Sequence, residues 1–300
     1  MFNKIKRYYK DPMWALGSDL IKKYPNLLSD KIYIETLWRM IMGYKLDLSN
    51  PRTFNEKLQW LKLYDHNPLY TNLVDKIKVK EYVTNTLGKE YVVPTLKVYN
   101  SVNDIDLDEL PEKFVLKCNH DSGSVYICRD RTKFDIEDIK HKMFKHLSHN
   151  FYWDAREWAY KKVKPCVFAE TYLLDDNFDD LVTYKFLCFD GEPRIMYATV
   201  KNDAIWENYY DMSFNLLPIH RKWPNNALAL SKPAKFEEMI NVARKLSKGI
   251  PHVRIDLYEV KGQIYLSEYT FYDWGGLIDF DNNEWNLKLG DWIKLPHRNN

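Results

Sequence analysis

The sequence lacks the features that mark several common classes of protein. No run of about 18 consecutive apolar residues occurs, so a membrane-spanning helix is not predicted. Neither the G-x-x-x-x-G-K-[ST] phosphate loop nor a G-x-G-x-x-G motif after a strand is present. The net charge is only +2 and no half of the chain is strongly basic, which excludes a protein whose main partner is nucleic acid.

Cysteine is scarce, and the four thiols form no C-x-x-C pair and have no histidine at zinc-finger spacing. They are Cys118, Cys128, Cys166 and Cys188. Neither a zinc site nor a disulfide framework is predicted, and scattered thiols are typical of a reducing cytoplasm. We therefore expect a cytoplasmic protein. Its basic, aromatic N-terminus, with Lys4, Lys6 and Arg7, could contact the inner face of the membrane.

The 300 residues are enough to bury a sizeable core, and 15% of them are aromatic. Helical patterns fill the first part of the chain, and antiparallel hairpins mixed with helices follow, which predicts an α+β fold. We expect three parts: a helical N-terminal region over 1–75, a part with a phosphate loop over 76–165, and a C-terminal part with a metal site over 166–300.

Local signals define several elements. Ser29 is a good N-cap for a helix that Gly43 would end. Thr53 and Glu56 have the spacing of a capping box. Asp190–Gly191 is typical of a two-residue hairpin turn.

The segment VRIDLYEVKGQIYLSEYTF, residues 253–271, reads as a hairpin whose register decides its chemistry. A two-residue loop at Lys261–Gly262 would place Glu268 on the opposite face from Asp256. A three-residue loop that begins at Val260, with a type I turn and a G1 bulge, would place Arg254 opposite Glu268. We expect the three-residue loop.

In that register, one face of the hairpin carries Arg254, Asp256, Glu268 and Thr270. Two carboxylates held by a rigid hairpin are the oxygen ligands that Mg²⁺ prefers, with waters and phosphate oxygens completing the octahedron. The alternative is a solvent-exposed ladder of salt bridges, which would contribute little to stability.

A phosphate-binding element is suggested by FVLKCNHDSGS, residues 114–124. Lys117 ends a predicted strand, and the polar loop after it contains Ser122, Gly123 and Ser124. The lysine could contact one phosphate while backbone N–H groups of the loop cover the others. An ordinary polar β-turn would have a similar sequence.

Several segments in order resemble the ATP-grasp superfamily: VDKIKVKEYV, VPTL, FVLKCNHDSGS, VFAETYL, YKFLCFDGEP and VRIDLYEVKGQIYLSEYTFYDWGG. The chain is most similar to the TupA-like branch, which is associated with teichuronopeptide and other polysaccharide biosynthesis. The resemblance covers roughly residues 20–295. It implies an ATP-grasp fold, in which two α+β subdomains grip ATP, preceded here by a helical N-terminal region.

The resemblance also implies roles for the hairpin residues. Asp256 and Glu268 match the magnesium ligands, with Mn²⁺ as a substitute, and Thr270 stands where the family has asparagine. Arg254 matches the arginine that faces the transferred phosphate. Lys185, in TYKF, could contact an anionic substrate and assist catalysis.

Further residues match positions that bind ATP. Lys76 and Lys117 look like the two nucleotide lysines, and NHDSGS looks like the mobile phosphate loop. Backbone atoms of the strand around Glu170 would meet adenine, and a nearby acid would bind ribose. The candidate cofactor-binding residues are therefore Lys76, Lys117, His120, Ser122, Gly123, Ser124, Glu170, Thr171, Tyr172, Asp175 and Asp176.

ATP-grasp enzymes typically activate a carboxylate as an acyl phosphate and then form an amide with an amine. The resemblance implies a ligase that joins an amino acid or similar amine to a uronic acid in capsular, cell-wall or exopolysaccharide biosynthesis. The reverse pairing, an amino acid's carboxylate with an amino sugar, stays open. The sequence does not define the oligomeric state.

Two other classes of function stay open. Asp279–Phe280–Asp281 is a D-x-D motif, the kind that binds the metal of a nucleotide sugar in a glycosyltransferase. Such an enzyme would also need parallel βαβ units near the start, where this chain is predicted to be helical. A non-catalytic carbohydrate-binding protein is the second alternative, but it would not need the lysines, arginine and carboxylates together.

Overall fold

The structure is a computed structural model that describes residues 21, 23–173, 181–201, 205–226 and 230–297. Its α-helices are α1 (Asp30–Met42), α2 (Phe54–Tyr64), α3 (Pro68–Val74), α4 (Lys78–Thr86), α5 (Ile136–Leu147), α6 (Tyr152–Ala155), α7 (Phe236–Ser247) and α8 (Asn283–Trp292). Within the described residues, no helix is long and apolar enough to cross a membrane.

In the described ranges, ten strands form two antiparallel sheets. The first four strands are β1 (Thr95–Tyr99), β2 (Phe114–Cys118), β3 (Val125–Cys128) and β4 (Val167–Thr171). They form one sheet in the order β1-β4-β2-β3. The others are β5 (Tyr184–Phe189), β6 (Glu192–Lys201), β7 (Ile205–Tyr210), β8 (Leu216–Leu217), β9 (His252–Val260) and β10 (Gln263–Thr270). They form the second sheet in the order β10-β9-β5-β6-β7-β8. The α+β prediction is confirmed.

The helix signals act as the sequence predicts. The Ser29 side chain accepts a hydrogen bond from the backbone of α1, and Gly43 ends the helix with a φ of 84°. Thr53 and Glu56 form a complete capping box at the start of α2. These side chains satisfy backbone N–H groups that a helix end leaves without partners, so local sequence is enough to define where the helices begin.

Each sheet has its own hydrophobic core. The four-stranded sheet packs one face on α5, around Phe114, Leu116 and Met143. The six-stranded sheet packs on α7, and the same core continues into the N-terminal helices around Trp38 and Phe54. The N-terminal helices therefore fold onto the second sheet, although more than 100 residues separate them in sequence.

The loop of the β9–β10 hairpin is not the one that we expected. Val260 pairs with Gln263, so the loop has two residues, Lys261 and Gly262, with φ values of 52° and 75°. Both residues adopt the left-handed conformation that a type I′ turn requires. Lysine is rarely found with positive φ because its Cβ crowds the backbone, which is why the sequence favoured the wrong turn.

The predicted face forms nevertheless, through a different feature. The register shifts between Leu266 and Glu268, where Ser267 is an extra residue in β10. After this β-bulge, Glu268 lies opposite Asp256 and Thr270 lies opposite Arg254. One inserted residue reverses the inward–outward alternation, so the bulge returns the charged residues to a common face.

The change from one sheet to the other falls after the boundary that we placed at residue 165. Strand β4, Val167–Thr171, lies between β1 and β2, and the next described strand, β5, belongs to the second sheet. The polypeptide therefore leaves the first sheet after Thr171. The division of the chain into folding domains stays a prediction.

We expect Gly290→Ala to destabilise the packing of α8 on α2. A Cβ at Gly290 would overlap the carbonyl oxygen of Arg52 and lie 2.7 Å from the carbonyl carbon of Thr53. Overpacking of this kind costs about 1–3 kcal/mol. Urea unfolding measures the change, and Lys288→Ala, at an exposed position of α8, is the control, with an expected change within about 0.5 kcal/mol. Equal stability of Gly290→Ala and wild type would contradict this packing.

Candidate active site

The centre of the charged face is Arg254, whose guanidinium is surrounded by three carboxylates although the residue is only 8% exposed. Its Nε and Nη2 donate to the two oxygens of Asp256, each at 2.7 Å. Nη2 also donates to Glu268 at 2.9 Å, and Nη1 donates to Asp273 at 2.7 Å. The face is thus a buried charge network and not the exposed ladder of the alternative interpretation.

Asp273 is a central member that the sequence did not reveal. It is fully buried, and it bonds Arg254 through one oxygen and Arg221 through the other. The hydroxyl of Tyr197 donates to it at 2.6 Å. Asp273 belongs to the DWGG segment, which follows β10. Its position two residues after the hairpin was the available signal.

The charges in this network shift one another's pKa. Burial alone would raise the pKa of Asp273, but Arg221 and Arg254 hold it far below its usual value. Burial raises the pKa of Asp256 to about 6 against the opposing effect of Arg254. Burial would also raise the pKa of Glu268, but Arg254, with Lys76 and Lys185, lowers it. The carboxylates of this face are therefore charged near pH 7.

Lys185 joins the face from the neighbouring strand. It lies opposite Asp256 in the β5–β9 pairing, and its Nζ is 5.1 Å from the centre of the Tyr197 ring. Burial lowers its pKa, and the nearby Arg254 lowers it further. Among the described residues it has no ion-pair partner within 4 Å, so its ammonium can meet an anion.

A cavity separates the two sheets beside this face. It is lined by Lys76, Val79, Lys80, Val92, Val93, Lys117, Phe168, Glu170, Tyr258, Leu266 and Ser267. The extra residue of the β-bulge, Ser267, is therefore part of its wall. The lining combines three lysines with apolar side chains.

Glu170 is the anchor of the lysines in this cavity. It forms an ion pair with Lys117 on β2 and one of 3.1 Å with Lys80 on α4. Burial would raise its pKa, but the two ammonium groups hold it below the usual value. Lys80 was missed by the sequence analysis. Its position four residues after Lys76 could have indicated it, because that spacing repeats one helix face.

Lys76 holds the loop that follows β2. Its backbone N–H donates to the carbonyl of Asn119 at 3.1 Å, and its Nζ donates to the carbonyl of Asp121. At the tip of the loop, Ser122 and Gly123 are exposed, and Gly123 has a φ of 98° with open space around it. The tip is therefore the part of the loop that is free to cover phosphates.

The structure places two other predicted loop residues in supporting contacts. His120 is buried, and its Nε2 lies 3.1 Å from the carbonyl oxygens of both His146 and His149. Ser124 is buried, accepts a bond from the backbone of Cys118 at 3.1 Å and donates to Asp121. Both tie the loop to its base, and their roles in binding ATP stay predictions.

Strand β4, which we expected to meet adenine through its backbone, differs from the expectation in one respect. Phe168, Ala169 and Glu170 of β4 are paired with strands on both sides, and the N–H of Thr171 donates to Pro94 at 3.0 Å. Their backbone groups are largely used by the sheet. Tyr172, whose hydroxyl accepts from Arg129 at 2.9 Å, is the first predicted residue beyond the strand. Asp175 and Asp176 lie outside the described residues.

The residues present fit a magnesium ion in part. Asp256 and Glu268 face each other across the hairpin and offer hard oxygen ligands, and the hydroxyl of Thr270 lies 3.3 Å from Glu268. In the described part of the chain, no group of three or more His, Cys, Asp and Glu residues could hold a metal ion. Mg²⁺ bound here would therefore take the rest of its ligands from phosphate and water.

Helix α2 supports the site from the other side. Three of its buried polar residues, Asn55, Gln59 and Lys62, face the segment that follows β10. Gln59 donates to the carbonyls of Gly275 and Gly276 at 3.0 and 2.9 Å. A Cβ on Gly276 would lie only 2.5 Å from Gln59, so this glycine permits close contact with the helix.

The family of this chain can be identified by its similarity to known proteins. The profile of the family described as TupA-like ATPgrasp matches residues 56–294. The chain belongs to the TupA-like ATP-grasp family, as its sequence resemblance predicted. None of the curated proteins compared with it is similar enough to count as a relative.

Among solved structures, the chain is similar to D-alanine–D-alanine ligase from Bacillus anthracis complexed with ATP. Identity is 16% over 85% of this chain and 70% of the ligase, with a TM-score of 0.38. It is also similar to the ATP-grasp ligase PsnB complexed with minimal precursor, Mg and ADP, with 10% identity, 72% and 57% coverage and a TM-score of 0.38.

Asp279 and Asp281 are both exposed, with the buried Phe280 between them. One oxygen of Asp279 accepts from the backbone of Phe280 at 3.0 Å and lies 3.5 Å from Asn286. The D-x-D motif thus lies on the surface before α8. Because the chain belongs to an ATP-grasp family, this motif alone no longer favours a glycosyltransferase.

We expect Asp273→Asn to destabilise the protein by about 3–5 kcal/mol, because it leaves two buried guanidiniums without their shared carboxylate. Asp273 has a depressed pKa in the folded state, so its contribution is present above its usual value of 3.8 and is lost in stronger acid. Urea unfolding should therefore show a constant deficit above about pH 4 and a smaller one below it.

The control for this measurement is Asp281→Asn, at an exposed carboxylate, with a change within about 0.5 kcal/mol. If the Asp273→Asn variant were as stable as the control at pH 7, Asp273 would not be holding the network together.

Proposed function

We propose that the protein is an ATP-dependent carboxylate–amine ligase that forms an amide through an acyl phosphate. The observation that supports this most is the hairpin face, where Arg254, Asp256 and Glu268 are in contact beside the lysine-lined cavity. Carboxylates for a metal, cations for phosphates and an arginine at the junction are what phosphoryl transfer requires.

The nucleotide would lie in the cavity between the sheets. Its base would pack near Phe168 and Leu266, and Lys117 and Lys80 would move from Glu170 towards the phosphates. The exposed loop tip at Ser122 and Gly123 would cover them with backbone N–H groups. Mg²⁺ held by Asp256 and Glu268, with Thr270 beside them, would neutralise charge on the phosphates.

Arg254 would act on the phosphoryl group that moves. Its Nη1 is fixed by Asp273 and Tyr197, whereas Nε and Nη2 contact the carboxylates that would bind metal. We propose that Nη1 keeps its contacts while the other N–H groups turn to the phosphoryl oxygens. Lys185, beside the same face, would hold the carboxylate substrate in line with the γ-phosphorus.

For the substrates, we propose a uronic acid or uronate-containing polysaccharide as the carboxylate and an amino acid or similar amine as the nucleophile. An amino acid with an amino sugar is the second pairing. Capsular, cell-wall or exopolysaccharide biosynthesis is the proposed setting, in the cytoplasm. The basic N-terminus that could contact a membrane lies outside the described residues, and the division at 75 and 165 remains part of this proposal.

A screen for ADP release tests the function. Purified protein is incubated with Mg-ATP, glucuronic or galacturonic acid or their oligomers, and each common amino acid. We expect ADP release that needs both a carboxylate and an amine, and a rise in thermal stability with Mg-ATP but not with UDP-sugars. A rise with UDP-sugars alone would favour the glycosyltransferase instead, and binding of sugar without ADP release would favour a carbohydrate-binding protein.

The metal assignment has its own test. We expect Asp256→Asn to lose the extra thermal stability that Mg²⁺ adds to ATP binding, and to lower turnover by about 100-fold or more, because one of two metal-binding carboxylates is removed. Thermal shift with ATP in Mg²⁺ and in EDTA measures the first effect. Asp279→Asn, at an exposed carboxylate, should match wild type in both assays. Full Mg²⁺ dependence in Asp256→Asn would remove the assignment.

A further inference from the structure

Glu157 is a buried carboxylate that the proposed reaction does not yet use. It lies just after α6 and is 6% exposed. Among the described residues, no group donates a hydrogen bond to its carboxylate. Buried carboxylates normally have such donors, so an unpartnered one suggests a ligand with N–H groups.

Its position is beside the active site. Oε1 of Glu157 is 3.6 Å from the place that a Cβ on Gly275 would occupy. Gly275 is two residues from Asp273, which bonds Arg254. Glu157 is close enough to Arg254 and Glu268 for both to affect its pKa. The carboxylate therefore lies against the DWGG segment, which also carries the Asp273 carboxylate that fixes Arg254.

Helix α2 supplies the countercharge. Nζ of Lys62 is buried and donates to Oε1 of Gln59 at 3.0 Å and to the carbonyl of Gly275 at 2.7 Å. These bonds fix Lys62 on the same backbone that passes Glu157. Its positive charge favours the ionised form of Glu157, without a direct ion pair that would block the carboxylate.

The other acids near the site are already paired. Asp256 and Glu268 contact Arg254, and Asp273 contacts two arginines. Glu170 is held by two lysines, and Glu207 accepts from Tyr209 at 2.7 Å. Of the acids described around the network, Glu157 is the one whose carboxylate stays free for a cationic substrate.

We infer that Glu157 binds the ammonium group of the amine substrate and removes its proton before the amine attacks the acyl phosphate. This inference rests on the proposed function. An ammonium group has no lone pair to attack with, so the reaction needs a base at this place. Glu157 would be a catalytic residue in direct contact with the amine, and Lys62 a positioning residue.

The step balances as follows. The Glu157 carboxylate takes one proton from R–NH₃⁺ and becomes a carboxylic acid. The neutral amine attacks the acyl carbon, a C–N bond forms, and the C–O bond to phosphate breaks with its electron pair on the leaving phosphate. The second amine proton goes to that phosphate, and the Glu157 proton returns to solvent.

The acidity of Glu157 suits this role. Burial raises its pKa to about 7, against the lowering effects of Lys62 and Arg254. Burial lowers the pKa of Lys62 to about 8. A base with a pKa near the working pH is the most effective one. The titratable groups around it are Lys62, Asp154, Tyr160, Arg254, Glu268 and Tyr272.

The test separates the two half-reactions with hydroxylamine, a nucleophile that is neutral at pH 7 and needs no base. The substrates are glucuronic and galacturonic acid and their oligomers. With Glu157→Gln, we expect hydroxamate formation within about threefold of wild type, and amide formation with the common amino acids lowered by about 100-fold or more. Glu137→Gln, the same substitution at an exposed glutamate of α5 that pairs with Lys140 at 3.5 Å, is the matched control and should change neither rate.

The outcomes are distinct. Equal loss of hydroxamate and amide in Glu157→Gln would mean a structural role, and no loss of amide would mean that another base acts. Either result overturns the inference but not the proposed function. Absence of hydroxamate from wild type with all of these acids would overturn the proposed function, and the inference with it.

A measurement on wild type covers the case in which Glu157→Gln does not fold. The rate of amide formation should rise with pH and level off above about 7, because the base must be ionised. The rate of hydroxamate formation should not show this rise with pH. If both rates rose with pH in this way, or if neither did, the result would contradict proton removal by Glu157.

Discussion

The buried guanidinium of Arg254 is the interaction on which the rest of this site depends. A charge this far from water is stable only when it is paired and fully hydrogen-bonded. Three carboxylates and a tyrosine meet that need, and they come from β9, β10, β6 and the segment after β10. The same pairing keeps two potential metal ligands, Asp256 and Glu268, in hydrogen-bond contact with the arginine that we propose binds the phosphoryl group.

The constraint extends beyond the hairpin. Asp273 also needs Arg221, and the backbone that carries Asp273 is held by the buried polar side of α2. The N-terminal helices are therefore part of the active site's support, not an appendage. On the opposite side of the cavity, Glu170 keeps two lysines in place by the same principle. Lys80 and Lys117 line the cavity, so in the proposed function a substrate phosphate could replace Glu170 as their partner.

Much of this site could be predicted from the sequence, although the common face of the hairpin was predicted from an incorrect turn. The common face of Arg254 and Glu268 was predicted from a three-residue turn, whereas the structure has a type I′ turn and a bulge at Ser267. Turn propensities argued against Lys261 in a left-handed conformation. The extra residue can be placed either in the turn or in a bulge within a strand. The packing of both faces of the sheet decides between these two arrangements, and the propensities of Lys261 and Ser267 alone do not reveal it.

The sequence by itself determined the helix ends, the α+β class, the ATP-grasp family and the strand that carries Arg254 and Asp256, because caps, alternation and ordered motifs are local. Only the tertiary structure decided that Asp273 bonds Arg254, that Lys80 pairs with Glu170 and that Glu157 is buried against Gly275. These residues are brought to the site by contacts between segments far apart in the chain, such as α2 with the backbone after β10. Burial and the charges packed around these residues then set their pKa, and both are properties of the packed molecule that no stretch of sequence contains.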